Sequence, residues 1–289
     1  MSEHTLSFEA IGTWWIIDVN VSFDFDLQKL QQDISRTIED FDSLYSRFRD
    51  DTLVAKIAQS PGVYELPFDG REMLELSRYL YLATNGAFTP FIGNVLSDAG
   101  YDKDYSFISK PLVSPPAWDE VIEIRESTLT VHSPVLIDFG GIGKGYLIDK
   151  MGKYLDSRGI KSYCIDGSGD ILYKSADTKS IRVGLENPDN EKQVIGVATI
   201  SSGSICASAG NKRKWGAYHH IMNPFTRAAE NSVKATWVLA DTATVADALA
   251  TCLFFTEPKK LLEKFKFEYV IIYPDNSVAK SPNIPVEFY

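Results

Sequence analysis

Asp247 and Thr251 stand four residues apart in the apolar stretch TATVADALATCLFF, Thr242 to Phe255. On a helix that spacing puts a carboxylate and a hydroxyl on one face, so that their oxygens can reach a single point. Such donors suit a hard cation, magnesium or calcium, rather than zinc. At 100° per residue Val245, Leu249, Cys252 and Leu253 share one stripe, while Thr244, Asp247, Thr251 and Phe254 line the other side. Almost no charge faces outward, which predicts a largely buried helix in which an ionised Asp247 needs a partner such as a metal ion or an arginine. The same spacing equally allows Asp247 to cap a neighbouring backbone and Thr251 to bond back within its own helix.

A second candidate is LIDFGGIGKGYLIDKMG, Leu136 to Gly152, with glycines at 140, 141, 143 and 145 around Lys144. The nucleotide-loop pattern G-x-x-x-x-G-K-[ST] needs a glycine at 138 and a hydroxyl at 145, where Asp138 and Gly145 stand. The dinucleotide pattern G-x-G-x-x-G needs a third glycine where Tyr146 stands. What remains is a strand, a carboxylate, a flexible turn, a cation and a helix start, whose free backbone N–H groups suit an anion. A third candidate is YHHIMNPFTR, with the chain's only adjacent histidines. Pro224 ends the strand, so His219 and His220 face opposite ways and only one can enter a given site. An imidazole there is suited by pKa to move a proton near neutral pH. IDGSGDILY repeats the strand-and-turn pattern with Asp166 and Asp170 around its glycines, and reads equally as a tight hairpin.

Positioning these residues requires an α+β chain. FEAIGTWWIIDVNVSFDF has β character, and LQKLQQDISRTIEDFDSLYSRF follows with apolar residues at helical spacing. A second helix is predicted in GREMLELSRYLYLATNG, ended by Asn85 and Gly86. Prolines and aromatics from about 101 to 118 suggest an irregular connection. Short strands are predicted around 121–137, 161–173, 181–186, 195–207 and 218–222, interrupted by a helix after Gly145. ATWVLAD is a further strand leading into the Thr242 helix, and EYVIIYP is a closing one. No internal repeat or low-complexity linker is visible. Segregated helices with many short strands imply mixed β-sheets with packed helices.

The composition bounds the function. The 289 residues carry a net charge of −10, which argues against a general nucleic-acid binder, and NKRKW at 211–215 reads as a solvated basic loop. Hydrophobic residues at 44% and charged residues at 24% are ordinary globular values, and no apolar run approaches the ~20 residues of a membrane span. The start MSEHTLSFEA has no basic, apolar or cleavage segment, so the cytoplasm is the default location. Cys164, Cys206 and Cys252 are far apart in apolar contexts and read as buried thiols, with no zinc spacing and no disulfide framework.

Taken in order, six segments resemble the FAD:protein FMN transferase family, the ApbE type, over nearly the whole chain. AIGTWW resembles its M-G-T strand, LYSRFRDDTLVAKI its S-x-[YF]-x-x-x-S/T segment and TNGAFTPFIG its G-A-F-D-P turn. DFGGIGKGYLID resembles D-L-G-G-I-A-K-G-Y-A-V-D, HHIMNPFTR resembles H-H-I-I-D-P-x-T-G, and ADALAT matches the family's most characteristic helix. The resemblance implies one ApbE-like, T-fold-like unit over 1–289, with subdomains of about 1–118 and 119–289. It also implies a magnesium-dependent reaction in which FAD is split, FMN passes through its phosphate to a Ser or Thr hydroxyl in a short motif of an acceptor protein, and AMP leaves. By the same resemblance Asp247, Thr251 and the carbonyl of Gly141 hold magnesium. Asp138, Lys144, Ile11, Phe48, Ala87, Phe88, Thr89, Ile221 and Met222 contact FAD, and His220 is the base that activates the acceptor hydroxyl.

The chain departs from that pattern at five positions. Ile11 replaces Met, Thr89 replaces Asp, Ser168 the first glycine of a pair, Asn223 the Asp before Pro224, and Arg227 the glycine after Thr226. The metal pair, the lysine and the histidine are retained. The altered loop after His220 points to a changed acceptor, and a magnesium-dependent FAD pyrophosphatase and a non-catalytic FAD-binding protein are the alternatives.

Overall fold

The computed structural model describes residues Ser2 to Tyr289. The chain opens with a hairpin, β1 (Ser2–Ala10) and β2 (Thr13–Val21), closed by Ile11 and Gly12, which both have positive φ, as a two-residue hairpin turn favours. Helix α1 (Leu27–Tyr45) starts where Asp26 accepts the Lys29 N–H, and buries Leu30, Ile34, Ile38, Phe41 and Tyr45 at helical spacing. Then come α2 (Leu53–Gln59), β3 (Gly62–Glu65) and α3 (Phe68–Ala83), which ends through Asn85 and Gly86 in left-handed backbone with the Gly86 N–H on the Tyr81 carbonyl. A short 3-10 turn, Pro90–Ile92, leads into α4 (Gly93–Asp98) and the irregular connection to α5 (Trp118–Val121). There follow β4 (Ile122–Arg125), β5 (Thr128–Val131), α6 (Gly143–Ser157), β6 (Tyr163–Asp166), β7 (Ile171–Lys174), β8 (Ile181–Asn187), β9 (Asn190–Ile200) and β10 (Gly203–Ala209). The last third holds β11 (Lys214–Trp215), β12 (Tyr218–His219), β13 (Ala235–Ala240), α7 (Ala243–Cys252), α8 (Pro258–Leu262), β14 (Glu268–Ile272), β15 (Val278–Lys280) and β16 (Val286–Phe288).

Eight strands form one sheet in the order β1-β2-β6-β7-β10-β13-β14-β15, drawing strands from both sides of residue 118. The α+β class holds. Strand direction departs from the mixed sheets expected, because every recorded strand pair is antiparallel, as the many hairpin connections favour. The period-2 alternation of β10 and β13 divides the core. Cys206 and Val238 face α7, α6 and the main hydrophobic core, whereas Ile205, Ala235 and Trp237 face the small sheet β16-β9-β8 across the other side. Helix α7 lies on β10 and β13, and α6 packs against α7.

Four local expectations are revised. The apolar run before Asp138 is not a strand: β5 ends at Val131, and only the Asp138 N–H, on the Pro90 carbonyl, ties residues 136–138 to a neighbour by backbone hydrogen bonding. Helix α6 begins at Gly143, so Gly145 lies inside its first turn. The strand at 268–272 is followed by two more. Helix α2 was not anticipated, though the Thr52 side chain caps it through the Ala55 N–H.

Candidate active site

The N-terminus of α6 meets the middle of α7 at the residue where contact is closest. A Cβ on Gly145 would overlap the carbonyl of Ala243 and stand 2.8 Å from the Cβ of Asp247, so only glycine permits this approach. The Gly145 N–H donates to Asp247 Oδ2 at 2.9 Å. One of the free donors expected to face an anion at this helix start is thus taken by the chain's own carboxylate, and the capping reading of Asp247 holds alongside any metal role. Asp247 is buried, and its Oδ1 accepts no hydrogen bond among the described residues. Burial and the Asp170 carboxylate push the Asp247 carboxyl well above the usual range, against the opposing pull of Lys144, the Gly145 N–H and Arg213.

Thr251, one turn further along α7, shares a 3.2 Å hydrogen bond with Ser208 of β10. A Cβ on Gly141 would lie 3.4 Å from the Thr251 methyl and 3.1 Å from the Phe88 ring, so the Gly141 turn abuts the same face of α7. Thr244, grouped with Asp247 by spacing, instead caps the helix start with Asp149, which accepts its backbone N–H and its hydroxyl. The Asp247 carboxylate, the Thr251 hydroxyl and the Gly141 carbonyl are all oxygen donors of the kind magnesium accepts when substrate and water complete its shell. Among the described residues no group of three or more His, Cys, Asp or Glu side chains converges as a metal cage. The Asp247 set, with a single carboxylate, does not depend on one.

Lys144 projects from the first turn of α6 to Asp170 Oδ2 at 2.7 Å. Asp170 is 1% exposed and also accepts the Ala207 N–H, which fixes it against β10. Burial favours the neutral amine of Lys144, but the Asp170 and Asp247 carboxylates outweigh it and hold its pKa above the ordinary value. The lysine is therefore a fixed, charged ammonium.

A layer of aromatic rings flanks this polar centre. Phe48 and Tyr105 stack in parallel with centroids 5.3 Å apart, Tyr101 meets both edge-on, and Trp215 stacks on Tyr101 at 5.2 Å. The guanidinium of Arg47 lies over Phe48 and Tyr101, pairs with Asp138 at 2.5 Å and donates to the Tyr101 carbonyl. Asp138 is thereby committed to Arg47 and to the Gly140 N–H. The β1–β2 turn with Ile11 approaches the same layer, since a Cβ on Gly12 would stand 3.9 Å from the Tyr105 hydroxyl. In the turn Ala87 to Thr89 the Thr84 hydroxyl accepts the Phe88 N–H, while Thr89 is buried and accepts the Phe91 N–H.

The two histidines separate as alternation requires. His219 is buried, its Nδ1 accepting the Ile221 N–H. His220 is half-buried, and its Nδ1 donates to the Lys212 carbonyl at 3.1 Å; a carbonyl only accepts, so Nδ1 carries the proton and Nε2 is left as a base. Burial, then the charge of Arg213 and of His219, hold the His220 imidazole far below its ordinary pKa. Ile221 and Met222 turn into the protein. Ile221 joins the main core, and Met222 packs in the cluster that includes Val95, Leu96 and Trp215.

Three of the five departures keep the backbone that the original residue would favour. Ser168 and Arg227 hold positive φ, 59° and 57°, where a glycine is the usual occupant, and their side chains bond the Trp14 carbonyl and the Ser114 hydroxyl. Asn223 accepts the Phe225 and Thr226 N–H groups as an aspartate would, and its amide adds a bond to Glu230. Sequence reasoning missed Arg47, Ser208, Arg213 and, apart from Phe48, the ring layer, and left Asp170 as a turn residue. The basic run 211–215 was the available signal for Arg213. Two clefts of about 520 and 390 Å³ lie elsewhere, lined around Ile195, Ile272 and Phe288 and around Glu72, Asp149 and Val245. No helix among the described residues is long and apolar enough to cross a membrane.

The chain matches the ApbE family model over residues 11–271. It is 26% identical over 287 residues to the FAD:protein FMN transferase of Treponema pallidum, covering 88% of this chain and 79% of that one. It is 24% identical over 249 residues to the enzyme of the same name from Vibrio cholerae, covering 79% and 73%. In three dimensions it is similar to the ApbE protein of Thermotoga maritima, with a TM-score of 0.84 at 21% identity over 97% of both chains. It also superimposes on the flavin transferase ApbE from Vibrio cholerae, with a TM-score of 0.79 at 23% identity over 97% of this chain and 96% of that one. With its fold, and with the junction of α6 and α7 built from the segments that carry the resemblance, the chain belongs to the ApbE family.

Proposed function

We propose that this protein transfers the FMN portion of FAD to a serine or threonine hydroxyl of an acceptor protein and releases AMP, with magnesium bound by Asp247, Thr251 and the Gly141 carbonyl. The observation that carries the reading is the meeting of these three residues at the α6–α7 junction, with the fixed ammonium of Lys144 leaving the same helix turn. The names of the relatives support the reaction class. When bound, magnesium supplies positive charge to the diphosphate and orients it.

The chain's own groups provide the rest. Lys144 offers a point charge to diphosphate oxygens, and Asp170 keeps that ammonium charged and aimed. His220 Nε2 takes the proton of the acceptor hydroxyl, since Nδ1 is occupied by its bond to the Lys212 carbonyl. The hydroxyl oxygen then forms a bond to the FMN-side phosphorus while the bond from that phosphorus to the bridging oxygen breaks, and AMP leaves with the electron pair. The Phe48, Tyr101 and Tyr105 rings provide an apolar, stackable surface for an isoalloxazine ring.

The test incubates the purified chain with FAD and magnesium, with and without a flavin-binding domain that carries a Ser/Thr acceptor motif. The expected result is acceptor-dependent AMP release together with flavin fluorescence that stays on the acceptor after denaturation. Release of FMN and AMP regardless of acceptor would replace this reading with FAD hydrolysis. Binding without turnover would reduce it to flavin binding.

A further inference from the structure

The basic run 211–215 divides into three cations with three different surroundings. Lys212 bridges Glu186 and Glu191 at 2.8 and 2.9 Å, and Lys214 is exposed on β11 opposite His219. Arg213, between them, forms no ion pair and no side-chain hydrogen bond among the described residues, and its backbone is held at φ 46°, a left-handed conformation that is unfavourable for a non-glycine residue. Its position is set on both sides: the carbonyl of Lys212 holds His220 Nδ1, and Trp215, two residues on, stacks on Tyr101. The guanidinium is therefore carried by the segment that links the base to the ring layer. Its charge reaches that neighbourhood, since it disfavours a proton on His220 and acts on Tyr101.

We propose that Arg213 is a substrate-binding residue that grips the diphosphate of the flavin dinucleotide beside His220. This rests on the flavin-transferase reading above. If His220 Nε2 takes the acceptor proton, the phosphorus under attack lies close to that imidazole, and Arg213 is the residue next to the carbonyl that orients it. Lys144 already has an anionic partner in Asp170 and Lys212 has two glutamates, whereas Arg213 has none among the described residues and is free to meet a phosphate. A guanidinium presents paired N–H donors that match phosphate oxygens, and a neutral His220 adds no positive charge of its own.

The test is fluorescence titration of the full chain with FAD and, separately, with riboflavin, which lacks phosphate, for the parent protein and for Arg213→Gln, Arg213→Lys and Lys214→Gln. Arg213 is exposed and makes no recorded contact that its replacement would break, so the variants should fold. Arg213→Gln should weaken FAD by about tenfold or more, the loss of a charge-assisted hydrogen bond, and leave riboflavin unchanged. Arg213→Lys should recover part of that loss. Lys214→Gln removes the same charge one residue away and should move neither ligand. Equal weakening of FAD by Arg213→Gln and Lys214→Gln would reduce the effect to general surface charge and overturn the proposal, as would an unchanged FAD affinity in Arg213→Gln. A parent protein that binds riboflavin but gains nothing from the diphosphate refutes the assignment of Arg213 alone, whereas one that binds neither flavin refutes the parent reading.

Discussion

Gly145→Ala puts two physical effects in direct opposition. Alanine is favoured over glycine within a helix by up to about 1 kcal/mol, so propensity alone predicts a more stable protein. The structure predicts the reverse, because the new methyl would overlap the Ala243 carbonyl and stand 2.8 Å from the Asp247 Cβ. Overpacking against backbone costs about 1–3 kcal/mol, and forcing α6 from α7 also stretches the Gly145 N–H bond to the buried Asp247, a contact to a charged group worth about 1.5–3 kcal/mol. With the helix gain subtracted, the net is a loss of about 1.5–5 kcal/mol. Gly143, two residues earlier in the same turn, is the internal control. A Cβ there meets only Phe139 and Phe41 at an ordinary 3.4 Å, so Gly143→Ala should be neutral or slightly stabilising. Urea unfolding followed by circular dichroism, with the slope compared across variants, separates the two. Equal stability of Gly143→Ala and Gly145→Ala, or a Gly145→Ala protein as stable as its parent, would refute the close approach of α6 and α7 on which the site depends.

Three other outcomes are expected. Asp247→Asn keeps an acceptor for the Gly145 N–H and should fold normally while losing magnesium-dependent activity, whereas activity retained at low magnesium would remove Asp247 from the metal set. Lys144→Met strands buried Asp170, so the test pairs it with Asp170→Asn; the double variant should weaken FAD far more than riboflavin, and equal weakening would place the lysine away from the diphosphate. His220→Asn should cut transfer by ~10²–10⁴-fold with FAD affinity near that of the parent, while His219→Asn should affect stability rather than rate. Because the folded pKa of His220 lies far below the unfolded value of 6.5, the unfolded chain binds the extra proton as pH falls below that value. Stability should accordingly decline into acid, and His220→Asn should flatten that decline in melting curves taken between pH 7 and pH 4.

The parts of the fold that were legible are those written locally. Helix α1 shows its core face at helical spacing, the left-handed stop of α3 is written in Asn85 and Gly86, and Asp247 with Thr251 can be read four apart because a helix fixes their geometry. What was not legible depends on pairing between distant segments. Asp170 meets Lys144 because β7 lies beside β10 and α6 packs on β7, which no local pattern states. Asp138 looked available for a ligand because its partner, Arg47, is remote in sequence. The 211–215 run reads as one solvated stretch, although Lys212 is held by two glutamates and Arg213 and Lys214 have no ion pair among the described residues. Helix α2 escaped because seven residues offer too little period to read.

The order of strands in the large sheet also bears on when the site comes into being. Strand β2 pairs on one side with β1, its immediate neighbour, and on the other with β6, where Ile17 meets Ile165 far downstream. During synthesis the β1–β2 hairpin, with Ile11 at its tip, emerges well before β6, the strand it must pair with in the sheet, and α7 arrives later still. Long-range pairings of this kind are slow to close, so a hairpin made before its partner strand is among the last elements to find its place. A nascent fragment lacking the last third would hold the ring of Phe48 and the ammonium of Lys144 without Asp247 or Thr251. In the proposed reading, the residues assigned to the metal come together only after α7 has been made.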